Sequence, residues 1–337
     1  MFVTPSIVVI AHHGGAVTGS REGFLNICVV GAGALGCTIG GVLTEAGCNV
    51  HLISRRRDHV DAMNQTGLRM RDGEEERTVR VRASCDGQGI APADLVIVLV
   101  KSFHTRQAIE AARSVIGPNT LVMSLQNGLG HEDILAEVVD RSQIIAGKTY
   151  VGGVMLGPGY IRIGTRGKET LIGELDGTMG PRIQAVAQTF KDAGLLTTVS
   201  PNIIGTIWDK LLVNVATGAL SGITRLPYGA LYRIEEIEQC AIAAVAEAMT
   251  VAAASGVRLS TRDPRDAWIK AAEGLPPEFK TSMLQSLEKR SVTEIDFING
   301  AVVRRGDVCG VPTPVNRTLV ACIKGIESAL TGTAVTA

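Results

Sequence analysis

The sequence is poor in aromatic residues (4%) and has no net charge, because 33 lysines and arginines balance 33 aspartates and glutamates. A nucleic-acid or polybasic membrane-surface role requires a basic excess, so we expect neither partner. No continuous apolar run reaches the roughly 20 residues that cross a bilayer. The seven cysteines show no C-x-x-C spacing. This argues for free thiols in the cytoplasm and against a disulfide framework or a metal site.

The chain of 337 residues is long enough for two domains, and its pattern changes near residue 200. Residues 25–150 alternate short apolar runs with helical patterns, which is typical of a doubly wound parallel sheet, and we take 25–200 as the first domain. Within it we predict an inserted hairpin from the segments 67–71 and 78–82, and a further strand over 143–150. Residues 201–330 are alanine-rich and helical. We expect residues 1–24 to be a flexible extension and residues 331–337 a fraying tail. The pair His12-His13 in the extension lacks the further ligands that a metal site needs.

The most informative segment is Gly31-Ala32-Gly33-Ala34-Leu35-Gly36. It follows a predicted strand over 25–30 and begins a predicted helix over 34–46. In that context the G-x-G-x-x-G pattern is typical of dinucleotide binding, because N–H groups at the helix start point at a pyrophosphate. The alternative is a tight glycine turn in another α/β fold.

The end of the second predicted strand, 49–53, indicates which dinucleotide binds. NAD sites usually carry an acidic residue there for the ribose hydroxyls. This chain has Ser54-Arg55-Arg56-Arg57 instead. Arginine can bind a 2′-phosphate in a bidentate way, so we predict NADPH with Arg55 as the phosphate ligand. The alternative is a solvated basic turn.

Two further candidates follow predicted strands, and ligands of doubly wound sheets bind beyond the carboxyl ends of strands. Lys101 directly follows the apolar strand 94–100, and Asn127-Gly128 follows the strand 120–125. Either could be an ordinary loop or turn residue. Their positions favour contacts to a nucleotide or substrate.

The helical half offers a third set of candidates. Lys210 and Asn214 are four residues apart in the predicted helix 203–222, so they share a face that Gly218 extends. This arrangement suggests a polar cleft, although a surface lysine in a salt bridge would look the same. Thr293-Glu294 could be an ordinary helix start.

Taken together, these segments resemble the ketopantoate reductase family over roughly residues 25–330. The shared motifs, in order along the chain, are Gly31–Gly36, Val100-Lys101, Gln126–Gly130, Trp208–Asn214, Ser282–Gln285 and Thr293–Gly300. The resemblance implies a Rossmann domain followed by an all-helical domain. It also implies NADPH-dependent reduction of 2-dehydropantoate to (R)-pantoate in pantothenate biosynthesis.

The resemblance also implies roles for single residues. Lys210 matches the proton-donating lysine, and Glu294 matches the glutamate that contacts cofactor and substrate; we expect Glu294 also to keep Lys210 charged. The cofactor set comprises Gly31, Ala32, Gly33, Ala34, Leu35, Gly36, Arg55, Lys101, Asn127, Gly153 and Glu294. The substrate set comprises Asn127, Lys210, Asn214, Gly218, Tyr228 and Ser282.

Two departures put the substrate in question. Gly218 and Tyr228 stand where the family usually has asparagines that contact substrate. We expect room at Gly218 and an aromatic wall at Tyr228. A D-2-hydroxy-acid dehydrogenase acting on a bulkier 2-keto acid is therefore an alternative function, and a non-catalytic NADP(H)-binding regulator is another. The oligomeric state stays open, with a homodimer as one state to be tested.

Overall fold

The structure, a computed structural model, describes residues 25–332. The expectations for the extension 1–24, including His12-His13, and for residues 333–337 of the tail lie outside the described residues.

Twelve strands are described in residues 25–332. Their bounds are β1 Asn26–Val30, β2 Asn49–Ile53, β3 Leu68–Asp72, β4 Glu75–Val79, β5 Arg82–Ser84, β6 Ala93–Val98, β7 Ile116–Ser124, β8 Ile144–Thr149, β9 Gly152–Gly157, β10 Tyr160–Gly164, β11 Thr170–Glu174 and β12 Thr197–Val199. Eight of them form the main sheet, in the order β12-β11-β8-β7-β6-β1-β2-β5.

Strands β5-β2-β1-β6-β7-β8 of the main sheet run parallel. Numbered along the chain, these six have the 3-2-1-4-5-6 order of a dinucleotide-binding sheet, which confirms the predicted fold class. The order reverses between β1 and β6. Ligands of such sheets bind in the crevice beyond this point, and Gly31 and Lys101 follow the two strands there.

Twelve α-helices are described in residues 25–332. Their bounds are α1 Ala34–Glu45, α2 Arg57–Thr66, α3 Thr105–Ala111, α4 His131–Leu135, α5 Pro181–Asp192, α6 Ile203–Thr224, α7 Tyr228–Leu231, α8 Glu235–Ala254, α9 Pro264–Ala272, α10 Ser282–Glu288, α11 Asn299–Cys309 and α12 Pro314–Thr331. Short 3₁₀ turns lie at Ser102–His104, Arg113–Val115, Arg141–Gln143 and Ile295–Phe297. From residue 203 to residue 332 the structure has no strand, as predicted. Helix α12 includes Thr331, which we had placed in the tail.

A second, four-stranded sheet covers the outer side of α1. The predicted hairpin of β3 and β4 is present, but β4 begins at Glu75, because Gly73 adopts φ +62° and turns the chain at once. Strand β5, whose first residue Arg82 we had placed at the end of the hairpin, joins the main sheet instead. The hairpin continues into β10 and β9. Helix α1 therefore lies between two sheets, with Gly40 beside Leu52 of one and Gly41 beside Leu68 of the other.

Helix α6 is the central element of the helical half. Apolar residues at helical spacing, among them Trp208, Leu211 and Val215, are buried against α8, α9, α10 and α12. The first turn also packs on the main sheet, where Ile203 and Ile207 contact Ala146 of β8. This contact fixes the helical half against the sheet edge.

Helices α6 and α8 are long and apolar enough to cross a bilayer by length and composition. This finding qualifies the expectation that no run reaches that length. Most of the apolar stretch of α6 is buried among neighbouring helices. Two such helices are therefore weak grounds for a membrane-spanning chain.

The close approach of α6 to the sheet predicts a stability effect at Gly173 of β11. A Cβ there would lie 2.6 Å from the carbonyl oxygen of Ser200 and 2.7 Å from Cβ of Ile203. We expect Gly173→Ala to lower the free energy of unfolding by about 1–3 kcal/mol, as overpacking does. The measurement is urea denaturation. The control is Gly325→Ala at an exposed position of helix α12, where a Cβ meets no atom within 4 Å. The stability of this variant should be unchanged or higher. Equal effects of the two changes would contradict the packing argument.

Candidate active site

The turn after β1 is built for close backbone approach. Gly31 adopts φ +106°, and a Cβ there would lie 2.6 Å from the amide nitrogen of Val100 at the end of β6. Hydrogen bonds from the N–H groups of Gly31 and Ala32 to the carbonyl of Ile53, at 3.0 and 2.8 Å, fix the turn against β2. A Cβ on Gly33, in contrast, would meet no atom within 4 Å. The turn is thus packed on its inner side and open on its outer side.

The amino end of α1 leaves backbone donors unpaired. In residues 25–332, nothing accepts from the N–H groups of Ala34, Leu35 or Gly36, and the helix has no side-chain cap and no acidic residue in its first turn. Unpaired N–H groups and the helix dipole together favour an anion. This end fits the pyrophosphate of a dinucleotide.

The basic turn after β2 divides into two parts. Arg56 forms an ion pair with Asp58 at 2.6 Å, and the hydrogen bond from Arg56 lowers the pKa of Asp58. Arg55 donates to the neutral Gln107 side chain at 3.2 Å and forms no ion pair within the described part of the chain. Arg57, the first residue of α2, forms no ion pair within the described residues either, so Arg55 and Arg57 both leave a guanidinium charge free for a phosphate, and Arg55 lies nearer the end of β2.

Glu294 joins the helical half to the end of β6. Its carboxylate accepts from the N–H and the hydroxyl of Ser102, at 3.0 and 2.6 Å, and lies 3.4 Å from Nζ of Lys101. Glu294 is the N-cap residue of the 3₁₀ turn Ile295–Phe297, and α11 starts only at Asn299, so the residue is not an ordinary helix start. Lys101 and Glu294 are thus brought together, as two site residues should be.

The expectation that Glu294 keeps Lys210 charged is wrong for this geometry. The cation beside Glu294 is Lys101. The pKa of Lys210 responds to burial and to the charge of Lys148, and both lower it.

His131 supports the Glu294 carboxylate indirectly, through the hydroxyl of Ser102. Its Nε2 lies 3.0 Å from the hydroxyl of Ser102, which itself donates to Glu294, so the ring must donate to Ser102. Burial lowers the pKa of His131 to about 4, although the charge of Glu294 opposes this. A neutral imidazole therefore holds Ser102, and Ser102 holds Glu294.

The loop after β7 is fixed to the helical half as well. Gly128 adopts φ +100° beside the carbonyl of Phe297, and that carbonyl accepts from the N–H of Leu129 at 2.9 Å. The rings of His131 and Phe297 stack with centroids 5.2 Å apart. The side-chain amide of Asn127 has no hydrogen-bond partner within the described residues, and it remains available to a ligand.

Gly153 lies against the start of α1. A Cβ there would be 2.8 Å from the carbonyl oxygen of Ala34 and 2.5 Å from the hydroxyl of Thr38. The segment after β8 therefore reaches the glycine turn, where the backbone contact that we predicted for Gly153 can be made.

Lys210 points to the carboxyl end of β8. Its Nζ donates to the carbonyl of Thr149 at 2.6 Å, and the side chain is half-buried. Since β8 runs parallel to β7, β6 and β1, this end lies at the same sheet edge as Gly31, Lys101 and Asn127. Lys210 has no acidic partner within 4 Å in residues 25–332, so it is not a surface lysine in a salt bridge.

The remaining substrate candidates differ in their surroundings. Asn214, one turn after Lys210, makes no side-chain hydrogen bond in the described residues. A Cβ on Gly218 would meet only Cε of Met283, at 3.5 Å. Ser282, which precedes Met283 in the chain, is exposed. Tyr228 corrects the expectation of an aromatic wall in the substrate pocket.

Tyr228 is buried, and its hydroxyl lies 3.1 Å from that of Thr217. Its ring packs on Tyr232 and Phe279. The residue belongs to the helical core.

Sequence reasoning missed Ser102, His131, Lys148 and Tyr150. Ser102 and His131 are adjacent to the Lys101 and Gln126–Gly130 motifs, and this adjacency was the available signal. Lys148 is a buried charge in the predicted strand 143–150, a signal of the same kind as Lys101.

In the part of the chain that the structure describes, no group of three or more histidine, cysteine, aspartate or glutamate side chains is placed to hold a metal ion. All seven cysteines are free thiols.

Comparisons with known proteins identify the family of the chain. Residues 27–177 match the family described as ketopantoate reductase PanE/ApbA, and residues 202–327 match the C-terminal part of the same family. A 2-dehydropantoate 2-reductase of Pyrococcus horikoshii is 34% identical over 304 residues, which is 90% of this chain and 98% of the relative.

Two solved structures are similar over 90% of this chain and 99% of their own. One is a ketopantoate reductase of the PanE/ApbA family from Ralstonia eutropha JMP134, with a TM-score of 0.82 and 38% identity. The other is a D-mandelate dehydrogenase in a ternary structure with NADH and anilino(oxo)acetate, with a TM-score of 0.82 and 28% identity. The family matches span most of both halves of the chain, and the chain belongs to the ketopantoate reductase family.

Proposed function

We propose that this protein reduces 2-dehydropantoate to (R)-pantoate with NADPH, in pantothenate biosynthesis. The observation that carries the proposal is the position of Lys210. Its ammonium lies at the carboxyl end of β8, on the same sheet edge as the glycine turn. Curated relatives named 2-dehydropantoate 2-reductase support the choice of substrate.

The cofactor side of the proposal uses the unpaired donors of the sheet edge. The turn Gly31–Gly36 would hold the pyrophosphate, Arg55 the 2′-phosphate, and Lys101, Asn127 and the backbone of Gly153 the remaining nucleotide. Bound NADPH supplies a hydride for C2 of the keto acid. The packed inner face of the turn and its open outer face support this placement.

Lys210 performs the acid step. As C2 is reduced, negative charge grows on the carbonyl oxygen, and the Lys210 ammonium stabilises it and gives up its proton. Burial and the charge of Lys148 lower the pKa of Lys210 to about 8. The group is therefore mostly protonated at neutral pH yet acidic enough to donate, and activity should fall as the pH rises through about 8.

The substrate side of the proposal lies along α6 and α10. Asn214 would bind the substrate one turn from Lys210, with Ser282 across from Gly218. Glu294, fixed by Ser102, would orient the substrate hydroxyl and the cofactor. Tyr228, which is buried in the helical core, would support this pocket without contacting the substrate.

A D-2-hydroxy-acid dehydrogenase acting on a bulkier 2-keto acid is the second candidate. The room at Gly218 favours it, and the similar D-mandelate dehydrogenase was solved with an aromatic ligand. Relative kcat/KM values on ketopantoate and on an aryl 2-keto acid would separate the two functions. A non-catalytic regulator would turn over neither, and it has no use for a lysine of lowered pKa.

The proposal also covers the domain organisation, the cellular location and the oligomeric state. Residues 25–200 form the nucleotide-binding unit and residues 201–330 the helical unit that carries Lys210. The free cysteines favour a cytoplasmic location. A homodimer remains a prediction for gel filtration.

Replacing the proposed acid tests the function directly. We expect Lys210→Met to lower kcat on 2-keto acids by about 10²–10⁴-fold, the usual contribution of general acid catalysis. The Kd for NADPH should stay within a few-fold, because Lys210 contacts Thr149 rather than the glycine turn. The measurements are steady-state NADPH oxidation and fluorescence titration, with the exposed Lys191→Met as the matched control. Full turnover in Lys210→Met would reject the mechanism.

Replacing Arg55 tests the cofactor. Charge-assisted hydrogen bonds contribute about 1.5–3 kcal/mol, so Arg55→Ala should weaken NADPH binding by roughly 10–100-fold. Binding of NADH, which lacks the 2′-phosphate, should be unchanged. Arg57→Ala in the same turn is the control, and both Kd values are measured by fluorescence titration. A parallel loss for both cofactors would exclude Arg55 as a 2′-phosphate ligand.

Replacing Ser102 tests the support of Glu294. Ser102→Ala leaves the buried N–H of His131 without its acceptor and removes a donor from the carboxylate. We expect a loss of about 1–3 kcal/mol in stability together with a lower kcat/KM. Urea denaturation and initial rates measure the two effects, and the exposed Ser291→Ala serves as control. Unchanged stability would show that the bridge contributes nothing.

A further inference from the structure

Lys148 is a charged residue in a strand whose residues are all buried, which is uncommon. It lies on β8, and alternate residues of a strand share a face. Ala146 of the same strand contacts Ile203 and Ile207, so Lys148 lies on the face that α6 covers. The residue is 8% exposed, whereas Tyr150, two positions on, is 42% exposed. Tyr150 is thus the more solvent-accessible of these two residues on the same face.

Lys148 and Lys210 meet at the same aromatic ring. Nζ of Lys148 donates to the hydroxyl of Tyr150 at 3.2 Å and lies 5.0 Å from the ring centroid. Nζ of Lys210 lies 5.2 Å from that centroid. Neither ammonium has a carboxylate within 4 Å in the described chain, so the ring is their common neighbour.

We propose that Lys148, held in place by Tyr150, is a positioning residue that keeps Lys210 ready to give its proton to the substrate. The inference rests on the proposed function, in which Lys210 is the acid. A fixed positive charge near an ammonium favours loss of its proton. Lys148 would thus make Lys210 a better donor without touching substrate.

The groups around Lys148 act on its pKa in both directions. Burial, the largest effect, and Lys270 of α9 lower the pKa of Lys148 below its usual value, and Asp209 of α6 and Glu169, just before β11, oppose this. Burial would raise the pKa of Asp209, yet hydrogen bonds from Thr261 and Ser260 outweigh it and hold this carboxylate ionised. The acidic groups therefore act on Lys148, and Lys148 acts on Lys210.

A direct contact between Lys148 and a substrate carboxylate is the competing role. The low exposure of Lys148 and the position of Tyr150 over its tip argue against it. The two roles differ in what they change. Charge tuning shifts a pH profile, whereas carboxylate binding changes KM.

The experiment compares Lys148→Met with Lys148→Arg, which keeps the charge. We expect the alkaline limb of kcat against pH to move up by about one pH unit in Lys148→Met, a typical environmental shift for a side-chain pKa. Lys148→Arg should restore the wild-type limb. Lys191→Met, a distant exposed lysine, controls for net charge. An unmoved limb in folded Lys148→Met overturns the proposal, as does a raised KM without a shift.

A second measurement does not depend on turnover. The Cε resonance of Lys210 in protein labelled with ¹³C-lysine, identified by its absence in Lys210→Met, reports the pKa of this group directly. It should move up in Lys148→Met even if no 2-keto acid is a substrate, which separates this inference from the proposed function. Tyr150→Phe keeps the ring but removes the acceptor, and it should give a smaller shift of the same sign. If Lys148→Met does not fold, this variant decides the question, and an unchanged Lys210 resonance in it overturns the proposal.

Discussion

The hydrogen bond from Nζ of Lys210 to the carbonyl of Thr149 is the contact on which the site depends. Lys210 belongs to the first core helix of the helical half, and Thr149 ends a strand of the nucleotide-binding sheet. The bond places an ammonium at the edge of the sheet where the glycine turn and Lys101 also lie. Apolar packing of Ile203 and Ile207 on β8 gives this contact its rigidity, because it fixes the first turn of α6 against the sheet.

A second connection crosses between the halves at Glu294, and it differs from the first in its chemistry. The carboxylate is held by a serine hydroxyl, a backbone N–H and a lysine, and a neutral histidine in turn donates to the serine hydroxyl. Such a network is stable only when each buried member has a partner. Glu294 is thus a fixed acceptor beside Lys101, while Lys210 remains a cation without an acidic neighbour. The two charged groups of the site are kept apart and can act on different atoms.

Much of this arrangement follows from local sequence, and the rest follows from pairing in space. Gly31–Gly36, Lys101 and Asn127 were predictable because each directly follows an apolar strand, and parallel strands end at one edge. The partner of Glu294 was not predictable, since it depends on how the helical half packs against the sheet. The pairing of Lys148 with Tyr150 needs the face of β8 that α6 covers, and the burial of Tyr228 needs the path of the chain after α6. Strand β5 was not predicted, because three residues carry too little pattern to mark a separate strand at the sheet edge.

The positively charged groups of the site share one role, which is to attract anionic ligands. Three unpaired N–H groups at α1, a guanidinium at Arg55 and the ammonium groups of Lys148 and Lys210 all lie near one edge, and within the described residues none of these groups has a carboxylate within 4 Å. Gathering unpaired positive charge in a partly buried cleft costs free energy in the folded protein. A cofactor with three phosphates and a substrate with a carboxylate offset that cost only when bound. The cleft is therefore complementary in charge to its anionic ligands, and the same concentration of positive charge that lowers the stability of the fold locally makes Lys210 a better acid.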